Sequence, residues 1–209
     1  MNSRPGGDHG GISMKKLLCI ILLSLFGCAA PSEGPELKTV DYVDLDRYLG
    51  TWYEIANYPT KFQKGCYGTI AIYTLREDGK IRVENRCKQE MAGGKESSIT
   101  GVAWAADKRT NAKLKVQFFW PFRGDYWIIE LDSDYKYAVV GHPKRKFLWI
   151  LSRSPVMKAE LYIEILDKIK GHGYDLGKIV VTKQSRIELP QEDQRHAPLG
   201  RGFEGMRDT

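Results

Sequence analysis

The body of the 209-residue chain opens with Gly50-Thr51-Trp52-Tyr53-Glu54-Ile55-Ala56, a run of aromatic and β-branched residues that favours an extended strand. From Thr51 onward such runs recur between clusters of Gly, Asp, Pro and Lys, at the spacing of an all-β barrel or sandwich. We predict strands over 51–58, 67–75, 80–87, 97–105, 112–119, 125–131, 136–141 and 147–152. Eight antiparallel strands suit an up-and-down barrel whose interior holds one small ligand.

The alternation of polar and apolar residues predicts which side chains face the barrel interior. In residues 113–118, lysines and a glutamine alternate with apolar residues and are expected to face water. The inner face then takes Leu114, Val116 and Phe118. In residues 126–131, Glu130 marks the outer face, although both faces are largely apolar and the alternation is weaker there. The inner face of this second segment takes Trp127, Ile129 and Leu131.

The hydrophobic period changes after the last of these strands. Ser154 and Pro155 are typical of an N-cap followed by the first residue of a helix, which Gly171 ends. The helix carries an apolar stripe of Leu161, Tyr162, Ile165, Leu166 and Ile169. We expect it to pack by this stripe on the outside of the sheet. Residues 179–182 predict a last strand, and residues 188–209 lack periodicity and are expected to be disordered.

The N-terminus has the pattern of an export signal. Two lysines precede the ten-residue apolar run Leu17–Phe26, which is too short to cross a bilayer as a stable helix. We interpret residues 1–27 as a signal peptide, with residues 1–13 as a candidate extension ahead of the true start codon. The sequence ending at Cys28 resembles a bacterial lipobox, and the alternative is a conventionally cleaved signal with Cys28 merely nearby.

Lipidation at Cys28 would make residues 28–40 a tether. A diacylglycerol on the thiol and an N-linked acyl chain such as palmitate together anchor a protein firmly, because one chain alone is marginal. Ala29 follows the cysteine, where an aspartate would favour retention in the inner membrane under the enterobacterial sorting rule. We therefore expect the protein to lie on the periplasmic face of the bacterial outer membrane.

The cysteine count agrees with export. Of four cysteines, Cys19 leaves with the signal and Cys28 takes the lipid, so Cys66 and Cys87 remain. The segment between them is predicted to form a hairpin with its turn at residues 76–79, which brings the two thiols near each other. An oxidising compartment permits a disulfide, and the alternatives are two free thiols or a metal site. No second cysteine or histidine stands at ligand spacing, so we predict no metal.

Composition and motifs disfavour several function classes. The chain is 42% hydrophobic and 28% charged, which is typical of a globular protein. Its net charge of +6 comes from interspersed residues, so no nucleic-acid partner is expected. The histidines His9, His142, His172 and His196 are scattered, and neither a Gly-x-Ser-x-Gly motif nor a recognisable carboxylate pair is present. We predict no catalytic residues and no cofactor.

Three blocks of the sequence resemble the conserved regions of the lipocalin family. Residues 50–56 are similar to its Gly-x-Trp strand, residues 131–140 to its second region and residues 148–155 to its third. The resemblance spans about residues 40–185, and we assign residues 41–187 to the domain. It implies an eight-stranded antiparallel up-and-down barrel with one C-terminal helix packed outside. Within the family, the sequence resembles the bacterial outer-membrane lipoprotein branch, with apolipoprotein D as a eukaryotic relative.

The resemblance also implies structural roles for three residues. Gly50 and Trp52 belong to the opening signature, and Trp52 would plug the closed end of the barrel. Arg153 would cover its indole by a cation–π contact and hydrogen bonds. The alternative for Arg153 is a solvated charge beside the helix.

The expected ligand is a lysophospholipid or a fatty acid, stored or carried during envelope maintenance. Burial of its tail is worth about 0.8 kcal/mol per methylene. The predicted wall consists of Tyr73, Leu114, Val116, Phe118, Trp127, Ile129 and Trp149. The alternative is that these side chains fill the interior and leave no cavity.

Other functions stay open at this point. The basic segment 142–146 either meets lipid phosphates or forms a solvated turn. An enzyme of isomerase or de-epoxidase type on the same barrel is the first alternative, and haem ligation through His142 is the second. A transmembrane barrel is disfavoured because the outer face carries charges at Lys113, Lys115, Arg82 and Glu84. The sequence leaves a homodimer undecided.

Overall fold

A computed structural model describes residues 35–90 and 94–184. The expected signal peptide, the Cys28 lipidation site and the tail at 188–209 lie outside the described residues. Every element below belongs to the second of the two units, Met1–Pro35 and Glu36–Thr209, into which the chain divides. Within the described part, no helix has the length and apolar character needed to cross a membrane.

Two helices and nine strands make up the described domain. The helices are α1 (Leu45–Tyr48) and α2 (Ala159–Gly171), and single 3-10 turns lie at Lys61–Gln63 and Leu176–Lys178. The strands are β1 (Gly50–Asn57), β2 (Cys66–Leu75), β3 (Ile81–Gln89), β4 (Lys95–Ala105), β5 (Lys113–Gln117), β6 (Gly124–Leu131), β7 (Tyr137–Gly141), β8 (Leu148–Ser152) and β9 (Val180–Val181). The eight predicted barrel strands are all present, with bounds that differ by a few residues.

The sheet closes on itself. Each strand from β2 to β8 pairs antiparallel with the next, β8 pairs with β1, and β1 pairs with β2. The predicted eight-stranded up-and-down barrel is therefore confirmed, and β9 adds a short pairing to β1. Since the strands alternate in direction, the loops at 58–65, 118–123 and 142–147 share one end of the barrel. The opposite end holds α1 and the start of β1.

Two hydrophobic cores lie on the two sides of the sheet. One fills the lower barrel interior and includes Trp52, Leu114 and Ile128. The other lies between the outer face of the sheet and α2, where Ile150 packs with Ile165 and other members of the predicted helical stripe. The expectation that the helix packs outside the barrel is thus confirmed.

The predicted orientation of Trp127 and Ile129 is wrong. Both belong to the outer core beneath α2, and the inner face of β6 carries Tyr126 and Ile128 instead. The alternation of polar and apolar residues gave the wrong orientation because both faces of β6 are buried, one in the barrel interior and one beneath the helix. A bulge between Ile128 and Glu130 then shifts the register, so that Leu131 returns to the inner core as predicted.

The predicted start of the helix at Ser154 and Pro155 is also wrong. The helix α2 begins at Ala159 after Lys158, four residues later than expected. The Ser154 hydroxyl accepts a hydrogen bond from the Val156 amide at 3.2 Å, so it closes a local turn and caps no helix. The end at Gly171 is as predicted.

A disulfide joins Cys66 to Cys87, as one of the three alternatives anticipated. It links the first residue of β2 to the facing part of β3, with a Cα–Cα distance of 5.5 Å. The hairpin between them turns at residues 76–80, where the Arg76 amide donates to the Lys80 carbonyl. The alternatives of two free thiols and a metal site are therefore wrong.

Candidate ligand-binding cavity

The closed end of the barrel is built around Trp52. Its indole Nε1 donates to the Tyr48 carbonyl at 2.8 Å, and the Arg153 guanidinium carbon lies 3.9 Å from the ring centroid. Arg153 also donates to the carbonyls of Thr51 (2.9 Å) and Arg47 (2.7 Å), which ties the end of β8 to α1 and β1. Gly50 has φ +91°, and a Cβ there would lie 3.4 Å from the Arg153 guanidinium. This geometry matches the roles that the resemblance implied for these residues.

Above this plug the barrel holds a cavity of about 380 Å³, a volume in the usual range for small-molecule pockets. Its aliphatic and aromatic wall includes Tyr73, Val116, Phe118 and Trp149, four of the seven residues predicted to line it. Leu114 faces the interior but lies in the core and not on the cavity wall. The expectation that the aromatic residues leave space inside is met.

Several lining residues were not predicted. Phe62, Phe119, Phe122 and Phe147 lie in the loops at the open end, although the predicted strands 112–119 and 147–152 included Phe119 and Phe147. Tyr126 lines the cavity because the inward-facing and outward-facing residues at the start of β6 are the reverse of those predicted. Glu54 and Thr69 also line the cavity, and the signal for Glu54 was its position two residues from Trp52 on the same face of β1.

Glu54 is a buried acid with satisfied oxygens. Its Oε1 accepts hydrogen bonds from Asn57 and Thr182, each at 2.6 Å, and its Oε2 accepts one from the Gln63 amide at 2.7 Å. Only 4% of its surface is exposed, and this burial raises the pKa of the carboxyl although the hydrogen bonds oppose the shift. Gln63 in turn accepts from the Trp149 indole at 3.3 Å, so the network extends to the neighbouring strand β8.

The segment after β9 closes the gap where β1 and β2 diverge. The Gln184 side chain donates to the carbonyls of Glu54 (2.6 Å) and Thr69 (3.1 Å), and the Thr182 amide donates to the Ile55 carbonyl. These bonds satisfy backbone groups that the two strands leave unpaired. The upper wall of the cavity therefore depends on residues 182–184.

The rim of the open end is aromatic and basic. Large apolar side chains are exposed there, namely Phe62, Phe119, Trp120 and Phe122. Arg123 lines the cavity with its guanidinium carbon 5.5 Å from the Trp104 ring centroid, while Asp125 pairs with Lys115. Such a rim places apolar surface and a cation next to the cavity entrance.

The two described histidines do not line the cavity. In the turn between β7 and β8, His142 accepts the Lys144 amide on Nδ1 at 3.1 Å, and burial lowers its pKa. On the outside of the barrel, His172 Nε2 lies 2.6 Å from the Glu130 carboxylate. Among the described residues, no group of three His, Cys, Asp or Glu side chains could hold a metal ion.

One residue of the basic segment 142–146 is held by a hydrogen bond to the end of α2, and two others are exposed. The Arg145 Nε donates to the His172 carbonyl at 2.7 Å, which connects the turn to the end of α2. Lys144 and Lys146 are exposed. The turn thus presents two lysines to solvent at the open end.

Comparisons with known proteins agree with this architecture. The family model described as "Lipocalin-like domain" matches residues 43–184. Temperature-induced lipocalin-1 of Arabidopsis thaliana is 41% identical over 163 residues, covering 74% of this chain and 86% of that protein. Outer membrane lipoprotein Blc of Escherichia coli (strain K12) is 39% identical over 157 residues, covering 75% and 88%. The solved structure of insecticyanin from Manduca sexta aligns with a TM-score of 0.60 at 25% identity, covering 75% of this chain and 88% of that one.

Proposed function

The chain belongs to the lipocalin family, and from this premise we propose that it binds a lysophospholipid or a fatty acid in its barrel cavity. The acyl tail lies in the cavity and the headgroup stays at the open end. The observation that carries the proposal is the barrel cavity itself, which is walled by apolar and aromatic side chains and opens beside exposed aromatic residues.

Burial of a tail supplies enough affinity for such a ligand. Each methylene that leaves water contributes about 0.8 kcal/mol, so a long acyl chain exceeds the cost of immobilisation. The wall offers Val83, Val116, Phe118 and Trp149 for this contact. Arg123 at the rim is placed to meet a phosphate or carboxylate, because the nearby Asp125 pairs with Lys115.

Native mass spectrometry of the delipidated protein with added lysophospholipid tests the proposal. We expect one unmodified ligand per chain, and the same spectra report whether a homodimer forms. Absence of retained ligand contradicts the proposal. Recovery of a ligand of altered mass supports the alternative of an enzyme on the same barrel.

A carrier function without catalysis fits the residues of the cavity. Its one deeply buried acid, Glu54, accepts hydrogen bonds on both oxygens, and the two described histidines are outside it. Three hydrogen bonds hold the Glu54 carboxyl in place, which favours a structural role over proton transfer to a substrate. Incubation with epoxidised or isomerisable lipids should therefore return them unchanged.

We also propose that Cys28 carries the lipid anchor and that the protein resides on the periplasmic face of the outer membrane. The lipobox-like sequence supports this, as does the similarity to Blc, which is named as an outer membrane lipoprotein. Metabolic labelling with a palmitate analogue should mark the wild type and not a Cys28→Ala variant. Labelling of both proteins contradicts the assignment.

A further inference from the structure

Three tyrosine hydroxyls meet at the bottom of the cavity, a cluster that we call the tyrosine triad: Tyr48, Tyr73 and Tyr126. The Tyr126 oxygen lies 2.8 Å from that of Tyr48 and 2.8 Å from that of Tyr73. Tyr48 and Tyr73 are 1% and 5% exposed, and Tyr73 and Tyr126 line the cavity. The triad is therefore a buried polar site at the end of an apolar cavity.

A count of hydrogen atoms shows that the triad has a donor to spare. Three hydroxyls carry three hydrogens, and the two oxygen–oxygen contacts use two of them. If Tyr126 donates to one neighbour, that neighbour keeps a free O–H. If Tyr126 accepts from both, its own hydrogen is free. Each arrangement therefore leaves one O–H group of the triad without an acceptor inside the triad.

The triad is expected to act as a donor and not as an anion. Burial raises the pKa of Tyr73 to about 12 and raises the pKa values of Tyr48 and Tyr126. All three hydroxyls thus keep their protons at neutral pH. The charge of Glu54 acts on Tyr73 and disfavours a second negative charge nearby. A neutral oxygen is the acceptor that suits this position.

We propose that the triad is a subsite for a neutral oxygen at the buried end of the ligand, such as a hydroxyl or a carbonyl. This inference rests on the proposed function and specifies its ligand: an acyl chain oxygenated near its far end binds better than a plain hydrocarbon chain. A hydrocarbon end that reaches the triad displaces water without replacing its hydrogen bond. A buried donor left unsatisfied in this way lowers affinity.

A further hydroxyl on the cavity wall, that of Thr69, supports a ligand with oxygen at two depths. Thr69 lines the same cavity, is 7% exposed, and its Oγ1 has no hydrogen-bond partner. It lies on the same face of β2 as Tyr73, four residues nearer the open end and so about 13 Å away along the strand. Its position suits an ester or hydroxyl oxygen close to the headgroup.

Paired probes test the inference on the full delipidated chain. Isothermal titration calorimetry compares 1-palmitoyl lysophosphatidylcholine with its ω-hydroxypalmitoyl analogue. We expect the wild type to bind the hydroxylated probe about threefold to tenfold more tightly, the range of one net hydrogen bond. In a Tyr73→Phe/Tyr126→Phe variant the preference should shrink, because the remaining triad hydroxyl belongs to Tyr48, which does not line the cavity. Tyr58→Phe, which removes a hydroxyl bonded to the Asp175 carbonyl outside the cavity, should keep the wild-type preference.

The outcomes separate this inference from the proposed function. Tighter binding of the plain probe by the wild type overturns the tyrosine subsite and leaves lipid binding intact. This comparison uses the wild type alone, so it does not depend on whether the variants fold. An unchanged preference in a folded double variant also overturns it. Failure of both probes to bind the wild type overturns both proposals.

Discussion

The guanidinium of Arg153 covers the indole of Trp52, with its central carbon 3.9 Å from the ring centroid. The same group donates two hydrogen bonds to backbone carbonyls of the entry segment, at Thr51 and Arg47. One side chain thus connects the end of the last barrel strand to the beginning of the first and to the helix that precedes it. The closed end of the barrel depends on this connection.

Replacement of Arg153 by lysine should destabilise the domain by about 1–3 kcal/mol, because an ammonium cannot form the planar two-carbonyl contact and stack on the ring. Urea unfolding should show a lower midpoint with an unchanged slope. Arg109→Lys is the matched control, since Arg109 is an exposed surface residue paired with Asp107. Equal stability of the two variants would contradict the role given to Arg153.

Loss of the Cys66–Cys87 disulfide should cost about 3 kcal/mol, because the bond closes a chain segment of 21 residues and restricts the unfolded state. The Cys66→Ala/Cys87→Ala variant should unfold at lower urea than the oxidised wild type. Reduction of the wild type should give the same shift and leave the variant unchanged. A reduced wild type as stable as the oxidised form would refute this expectation.

The barrel and its closed end were predictable because local pattern and family signature agree there. The lysines of β5 indicated which of its faces points outward, and Leu114 and Val116 face inward as predicted. The same rule failed on β6, where Trp127 and Ile129 pack under α2 and a bulge changes the register. Burial of both faces removes the contrast on which alternation depends.

The polar part of the cavity was not predictable from periodicity. Glu54 and Thr69 are buried through partners distant in sequence, such as Thr182 and Gln184. Likewise, Tyr126 meets Tyr48 and Tyr73 only after the barrel closes. The helix start was misplaced because Ser154 forms a side-chain bond within its own turn, a competing use of the residue types that cap helices.

The Glu54 carboxyl should make stability depend on pH. Burial raises its folded pKa above the ordinary value, so between the two values the folded chain holds a proton that the unfolded chain has lost. The contribution of Glu54 is fully present below about pH 4.5 and is lost as pH rises through the folded pKa. The wild type should therefore lose stability relative to Glu54→Gln over this range.

Urea unfolding of both proteins from about pH 4 to pH 8 measures this difference. Comparison with the variant removes the contributions of other titrating groups. A wild type that gains stability relative to Glu54→Gln as pH rises would show that the hydrogen bonds from Asn57, Gln63 and Thr182 outweigh burial.

Filling the cavity should weaken ligand binding without unfolding the barrel. Ala71 lies on the inner face of β2 between Thr69 and Tyr73, and it lines the cavity. Ala71→Phe places a ring in the space proposed for the tail, so affinity for lysophospholipid should fall more than about tenfold. Ile72→Phe changes the neighbour on the opposite face and should bind like the wild type. Displacement of a fluorescent fatty acid measures both, and equal binding by the two variants would place the ligand elsewhere.

Tryptophan quenching tests most directly that the ligand enters the barrel. Trp149 lines the cavity, whereas Trp127 packs on the outer face beneath α2. A lysophospholipid brominated in the middle of its acyl chain should lower the fluorescence intensity of the wild type and of Trp127→Phe by the same absolute amount. Trp149→Phe should lose most of this quenching while still binding the lipid. Quenching that survives in Trp149→Phe and disappears in Trp127→Phe would place the tail outside the barrel and contradict the proposed function.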